Sequence, residues 1–108
     1  CMDKSSCDYP VYGAAVAKAV ASGECDRGIV ICTTGIGISI TANKVKGIRC
    51  ALCGDPVSAR LTREHNDANV LAMGAAIIGE SVALNIFLDT EFSGVERHQR
   101  RVDLIEQC

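Results

Sequence analysis

The sequence has no tryptophan, and its two phenylalanines and two tyrosines make aromatics 4% of 108 residues. That argues against a platform for single-stranded nucleic acid, which stacks bases on aromatic rings. A basic excess is missing too. Eleven Lys and Arg stand against thirteen Asp and Glu, for a formal net charge of −2, whereas a general nucleic-acid binder carries a positive surplus. No run approaches the roughly 20 apolar residues of a membrane span. No nucleic-acid or membrane partner is therefore expected. What is abundant is apolar: 48% of the residues are hydrophobic, which excludes disorder, and the length suits one domain over residues 1–108.

Seven cysteines are many for this length. An odd number cannot pair fully within one chain, and the spacing 1, 7, 25, 32, 50, 53, 108 is irregular. No second Cys or His pair completes a zinc pattern with Cys50 and Cys53, so no metal is expected. On a strand, Cys50 and Cys53 would face opposite sides. Apart from Cys32, the cysteines read as small buried hydrophobes of a reducing compartment, which implies a cytoplasmic protein.

Helix and strand signals alternate along the chain. After Asp8-Tyr9-Pro10, apolar residues recur at helical spacing over Val11–Ser22, and Gly23 ends the run. Gly28–Cys32 is short, β-branched and almost wholly apolar, as in a parallel strand covered on both faces. Thr33–Gly37 forms a tight glycine turn before a helix over Ile38–Val45. Ile48–Cys53 reads as a second strand. Asp55 caps, and Pro56 opens, a helix to His65. Asn69–Met73 is a third strand, followed by a short strand or turn at Ala76–Ile78 and Gly79. Helices over Ser81–Asp89 and Glu96–Glu106 complete the chain. This order predicts an α/β fold, a Rossmann-like three-layer sandwich around a parallel sheet. The ligand site of such a sheet lies beyond the carboxyl ends of its strands. That rule points to Thr33–Gly37, to Gly54-Asp55 and to the turn after Met73.

Three segments carry candidate chemistry. In Cys32-Thr33-Thr34-Gly35-Ile36-Gly37, a cysteine ends a strand and a glycine turn opens a helix. Free N–H groups at a helix start favour anions, and the same field lowers a thiol's pKa. One loop thus offers a base or nucleophile and a cradle for negative charge, or merely a structural cysteine at an ordinary turn. It is not a dinucleotide fingerprint, because Ile40 stands where the third glycine belongs. In Arg63-Glu64-His65-Asn66-Asp67-Ala68-Asn69, His65 can exchange protons near neutral pH; the alternative is a histidine capping a solvated helix end. In Arg97-His98-Gln99-Arg100-Arg101, Arg97 shares a helical face with Arg100 and Arg101. Arginine forks suit phosphate, though a charge run is often only a solvated face.

Taken in order, these three segments, Asp8-Tyr9-Pro10 and Ala42-Asn43-Lys44-Val45-Lys46-Gly47-Ile48-Arg49 resemble the type B ribose-5-phosphate isomerases, a family that includes galactose-6-phosphate isomerase subunits. The resemblance runs over nearly the whole chain. It implies an aldose–ketose isomerase needing neither metal nor cofactor, acting on a phosphorylated sugar of five or six carbons. By position Cys32 matches the base that moves a proton between C2 and C1 through a cis-enediolate. Some relatives use a carboxylate in the following turn, where this chain has Ile38. The amides of Thr33, Thr34, Gly35, Ile36 and Gly37 match the loop that stabilises the enediolate, and Thr34 matches a hydroxyl position in it. His65 matches the ring-opening residue, Asn66 a substrate contact, and Arg97 and Arg101 phosphate ligands. Family sites are built across a dimer interface, so a homodimer or homotetramer is implied, with His65 serving the neighbouring subunit's Cys32.

The sequence departs from the family pattern in three ways. The family begins with a strand ending in Asp-His, then a helix and a strand, and this chain opens instead on Cys1 and Met2. It reads as N-terminally truncated, with Gly28–Cys32 left as an exposed apolar edge. Thr33 replaces a usual glycine. Ala76 stands where many relatives carry arginine, and the segment before Arg97 is shortened with an extra residue at Val95-Glu96. The leading expectation is an isomerase. The alternatives are a weak or inactive remnant that binds sugar phosphate or supports an oligomer, and a flavodoxin-like regulatory or nucleotide-binding module.

Overall fold

A computed structural model describes residues 8–75 and 80–108. The expected strand or turn at Ala76–Ile78, Gly79, and the substitution at Ala76 lie outside the described residues. Helix α1 spans Tyr9–Ala21, β1 Gly28–Cys32, α2 Ile36–Asn43, β2 Cys50–Leu52, α3 Pro56–Asn66, β3 Val70–Gly74, α4 Glu80–Asp89 and α5 Glu96–Glu106. The strands form one parallel sheet in the order β1-β3-β2. Its helices lie on both faces, giving the three-layer α/β arrangement expected from the alternation of elements.

Strand β3 explains the layering. It is central, and Val70, Leu71, Ala72 and Met73 are each 0% exposed. Val70 and Ala72 pack with Ala17, Val20, Val30, Ile38 and Ala42, beneath α1 and α2. Leu71 and Met73 pack with Cys53, Ala59, Ala83 and Phe87, beneath α3 and α4. Alternate residues of a strand point to opposite faces, so a central strand between two helical layers must be apolar throughout. Each of its larger side chains contributes about 1.5–3 kcal/mol by burial. Among the described residues β1 is an edge of this sheet, with Ile31 44% exposed.

The second strand is shorter than the expected Ile48–Cys53. Two asparagines explain this. Asn69 Oδ1 accepts from the Arg49 amide at 2.8 Å while Asn69 Nδ2 donates to the Gly47 carbonyl at 2.9 Å. Asn43 binds both backbone groups of Cys50, accepting at 2.8 Å and donating at 2.9 Å. Side-chain amides thus take the place of strand partners before and beside β2, and Asn43 occupies hydrogen-bonding groups of an edge that could otherwise recruit another chain.

The amino end of the sheet is tied by arginines. Arg49 donates to the carbonyls of Asn66 and Asp67 and pairs with Glu106 of α5. Arg63, 4% exposed, donates to the carbonyls of Thr90 and Ala68 and to Asp67 Oδ1. Asp67 closes α3 in the left-handed region at φ 48°.

The thiols of Cys25, Cys32, Cys50, Cys53 and Cys108 are free. Cys50 and Cys53 do face opposite layers. Burial pushes the Cys50 thiol up to about 12 and the Cys53 thiol up to about 11. Cys25 and Cys108 are exposed, which corrects the expectation that the remaining cysteines are buried. Cys25 follows the end of α1 and Cys108 follows α5, where none of the described elements covers them. Among the described residues, no helix is long and apolar enough to cross a membrane.

Candidate active site

At the carboxyl end of the sheet, β1 finishes at Cys32, in register with Gly74 of β3. Helix α2 begins at Ile36, two residues before the expected Ile38, so the connecting loop is only Thr33-Thr34-Gly35. The early start matters because it brings the unpaired amides of the first helical turn back over the strand end. Gly35 makes the turn at φ 81°. Its amide donates to Cys32 Sγ at 3.1 Å.

Two opposing influences set the proton affinity of Cys32. Partial burial raises it and is the largest single influence. Hydrogen bonds from the amides of Ile38, Gly35, Thr34 and Gly37 together outweigh burial, so the thiol is held below its ordinary range. The net is a thiolate favoured by backbone, with no cationic side chain among the causes.

Two glycines make this possible. A Cβ on Gly35 would lie 2.5 Å from Leu52 Cδ1 and 2.8 Å from the Met73 carbonyl carbon, and one on Gly74 would lie 2.6 Å from the Thr34 carbonyl oxygen. The loop therefore lies directly on the end of β3. Thr33 and Thr34 are exposed. Thr34 Oγ1 accepts from the Ile36 amide at 3.3 Å, which leaves its hydroxyl proton for another acceptor.

One neighbour was missed by sequence reasoning. A Cβ on Gly37 would be 2.4 Å from Tyr9 Oη, so the phenol rests against the loop helix. Only the position of Tyr9 in Asp8-Tyr9-Pro10 could have drawn notice to it. The spacing of the motif gives no hint that α1 delivers its first residue to this turn.

The other expected residues lie at the amino end. His65 and Asn66 close α3 and are exposed. The Asn66 carbonyl accepts from Arg49, and its side chain has no hydrogen-bond partner among the described residues. Arg97 and Arg101 project from α5 one turn apart, both exposed, and neither forms an ion pair among the described residues. Between them sits His98, 6% exposed. Its ring centroid is 4.3 Å from that of His65, and its Nδ1 is 2.8 Å from Ser93 Oγ. Burial first, then the nearby His65, Arg97 and Arg101, hold the His98 imidazole below its usual proton affinity. His65, His98, Arg97 and Arg101 thus lie near one another.

A single copy does not join the two ends. Cys32 is level with Gly74, whereas α3 ends beside the start of β3 at Val70. Five strand residues cover about 13 Å at roughly 3.3 Å per step. The Cys32 loop and the His65 cluster therefore stand at opposite ends of the same sheet. A groove of about 650 Å³ between the turn after α2 and the end of α5, lined by Asn43, Lys46, Ile48, Ile105 and Cys108, contains neither. Among the described residues, no three His, Cys, Asp or Glu side chains converge as metal ligands.

Comparison with known proteins gives this geometry a context. The family model described as Ribose/Galactose Isomerase matches residues 1–105. The chain is 52% identical over 101 residues to ribose-5-phosphate isomerase B of Escherichia coli (strain K12), covering 91% of this chain and 67% of that protein. It superposes on the structure of Clostridium thermocellum ribose-5-phosphate isomerase B with a TM-score of 0.91 and 55% identity, covering 99% of this chain and 74% of that one. It also matches ribose-5-phosphate isomerase B from Mycoplasma genitalium with bound ribulose-5-phosphate, with a TM-score of 0.87 and 39% identity, over 97% of this chain and 70% of that one.

Proposed function

Because the chain belongs to the ribose/galactose isomerase family, we propose that it is an aldose–ketose isomerase, a single domain interconverting ribose 5-phosphate and ribulose 5-phosphate. The observation that carries the proposal is the Cys32 sulfur, level with the carboxyl end of the central strand and cradled by loop amides. Taking a proton alpha to a carbonyl needs a base of moderate strength and a stabiliser for the charge that develops on oxygen. The Cys32 thiolate takes the proton from C2 of the open-chain aldose and returns it to C1, through a cis-enediolate, while the proton of the O2 hydroxyl passes to O1. Stabilisation of the developing oxyanion falls to the loop of Thr33, Thr34, Gly35, Ile36 and Gly37, in which the Thr34 hydroxyl proton has no acceptor among the described residues. No proton is lost overall, and no metal or cofactor enters the cycle.

Ring opening and phosphate binding fall to the other end of the sheet. His65 exchanges the ring-oxygen proton, Asn66 holds a sugar hydroxyl, and Arg97 and Arg101 grip the phosphate with planar forks. Since one copy holds these groups at opposite ends, a second copy supplies them, in a homodimer or a homotetramer of such dimers. Exposed apolar side chains around the loop support this reading. Tyr9, Ile36 and Leu52 are 42%, 52% and 45% exposed, a rim suited to a neighbouring chain.

The test is turnover of ribose 5-phosphate by this chain beside Cys32→Ala. Loss of a general base lowers the rate by about 10³-fold, with the fold intact by circular dichroism. Equal turnover in the two proteins would remove Cys32 from the mechanism. Absence of turnover in the folded parent would instead favour a sugar-phosphate-binding remnant.

A further inference from the structure

His98 has no assigned part in the chemistry, yet it is a buried and anchored polar side chain at the amino end. It is buried on α5, between two exposed arginines. The Ser93 hydroxyl is 2.8 Å from His98 Nδ1 and also accepts from the Val95 amide at 3.3 Å, which leaves its own proton for the imidazole. The Ser93 amide donates to the Glu64 carbonyl at 3.1 Å, at the residue just before His65. Ser93 therefore fixes both the ring of His98 and the helix turn that carries His65.

Against this anchored ring lies His65. The centroids are 4.3 Å apart with the planes inclined by 42°. His65 is exposed, and no hydrogen bond holds its ring among the described residues. A solvent-facing histidine at a helix end otherwise samples several rotamers. Proton transfer to a sugar ring oxygen requires a nitrogen held within hydrogen-bond reach. Among the described residues, the side-chain ring stacked on His65 is that of His98.

We propose that His98, anchored by Ser93, is a positioning residue that seats the His65 ring for opening of the sugar. This rests on the proposed role of His65, and the experiment separates the two. The chain has two histidines, so each ring can be followed by NMR without catalysis. In His98→Ala the His65 ring signals move to those of a freely rotating histidine, and in His98→Phe they stay close to the parent. Unchanged His65 signals in folded His98→Ala would overturn the proposal. In turnover of ribose 5-phosphate, His98→Ala loses about tenfold or more in kcat with KM changed less than about twofold, a loss in the range expected for misplacing one catalytic group. His98→Phe recovers most of that loss. In a His65→Ala background, His98→Ala costs nothing further. An equal loss in both backgrounds, or a Phe variant as poor as Ala, would overturn positioning through His65. If His65→Ala itself turns over like the parent, the role of His65 fails, while the NMR comparison still decides whether His98 seats it.

Discussion

The two ends of the sheet achieve polar function by opposite means. At the carboxyl end the groups we assign to the chemistry are backbone amides, arranged by Gly35 and the first turn of α2 around one sulfur. At the amino end the assigned groups are long or ring-bearing side chains, His65, His98, Arg97 and Arg101, projecting from α3 and α5. The difference teaches where each end is vulnerable. An amide cradle depends on main-chain shape, so any residue that disturbs the turn disturbs the chemistry. A cluster of side chains tolerates loss of one member without loss of the fold, except where that member also bridges backbone groups.

The largest expected effect breaks the first end. Gly35→Ala forces a side chain into φ 81°, 2.5 Å from Leu52 Cδ1 and 2.8 Å from main chain of Met73. We expect about 2 kcal/mol or more of lost stability in urea unfolding, and turnover reduced as far as in Cys32→Ala. A variant with parent stability and parent turnover would show that the cradle does not need this turn.

Arginines sharpen the comparison at the second end. Arg63→Ala leaves the carbonyls of Thr90 and Ala68 without their partner in a buried place, and should cost about 3 kcal/mol of stability. Arg97→Ala and Arg101→Ala remove exposed groups that form no ion pair among the described residues. Stability should change by less than about 0.5 kcal/mol, while KM for ribose 5-phosphate rises about tenfold, as for loss of one charge-assisted phosphate contact. Unfolding curves and steady-state kinetics on the same three proteins check both halves. A KM effect for Arg63 alone would reverse the assignment.

A smaller effect is read in pH. With the thiol of Cys32 held low, alkylation by iodoacetamide at this site should reach half its maximum rate below the roughly pH 8.5 of an unperturbed cysteine. The sign for stability follows. A thiol whose proton affinity falls on folding stabilises the protein above its unfolded value, and that contribution fades as pH drops through the folded value. Cys50 and Cys53, pushed up to about 12 and about 11, act in the other direction. Their contribution is whole below about 8.5 and is lost as pH rises toward 11–12. Peptide mapping after alkylation across pH 6–10 should show Cys32 modified first and Cys53 protected.

Much of this was legible in the residues, and the limits have physical causes. Alternating apolar runs and turn residues located all three strands, and α5 fell where its periodicity put it. Boundaries failed where side chains replaced backbone. Asn43 and Asn69 shorten β2 by satisfying its flanks, a role that asparagine composition cannot reveal. Proline and capping signals located α3, but nothing local announced that Gly35 would start α2 early. For the site, the Cys32 loop was readable because its chemistry is contiguous in sequence. The division of the remaining residues between two ends follows from helix length and strand direction. The pairing of His98 with His65 links positions 33 residues apart that no short motif connects.

In the proposed assembly one working site takes Cys32 from one copy and His65 from another. Mixing Cys32→Ala protein with His65→Ala protein, after mild dissociation and reassembly, measures this directly. Each variant alone should be nearly inactive on ribose 5-phosphate. In random dimers half are mixed, and each mixed dimer holds one intact site of two, so activity should return to about a quarter of the parent. A mixture that stays as inactive as its components, with subunit exchange confirmed by mass, would contradict the shared site.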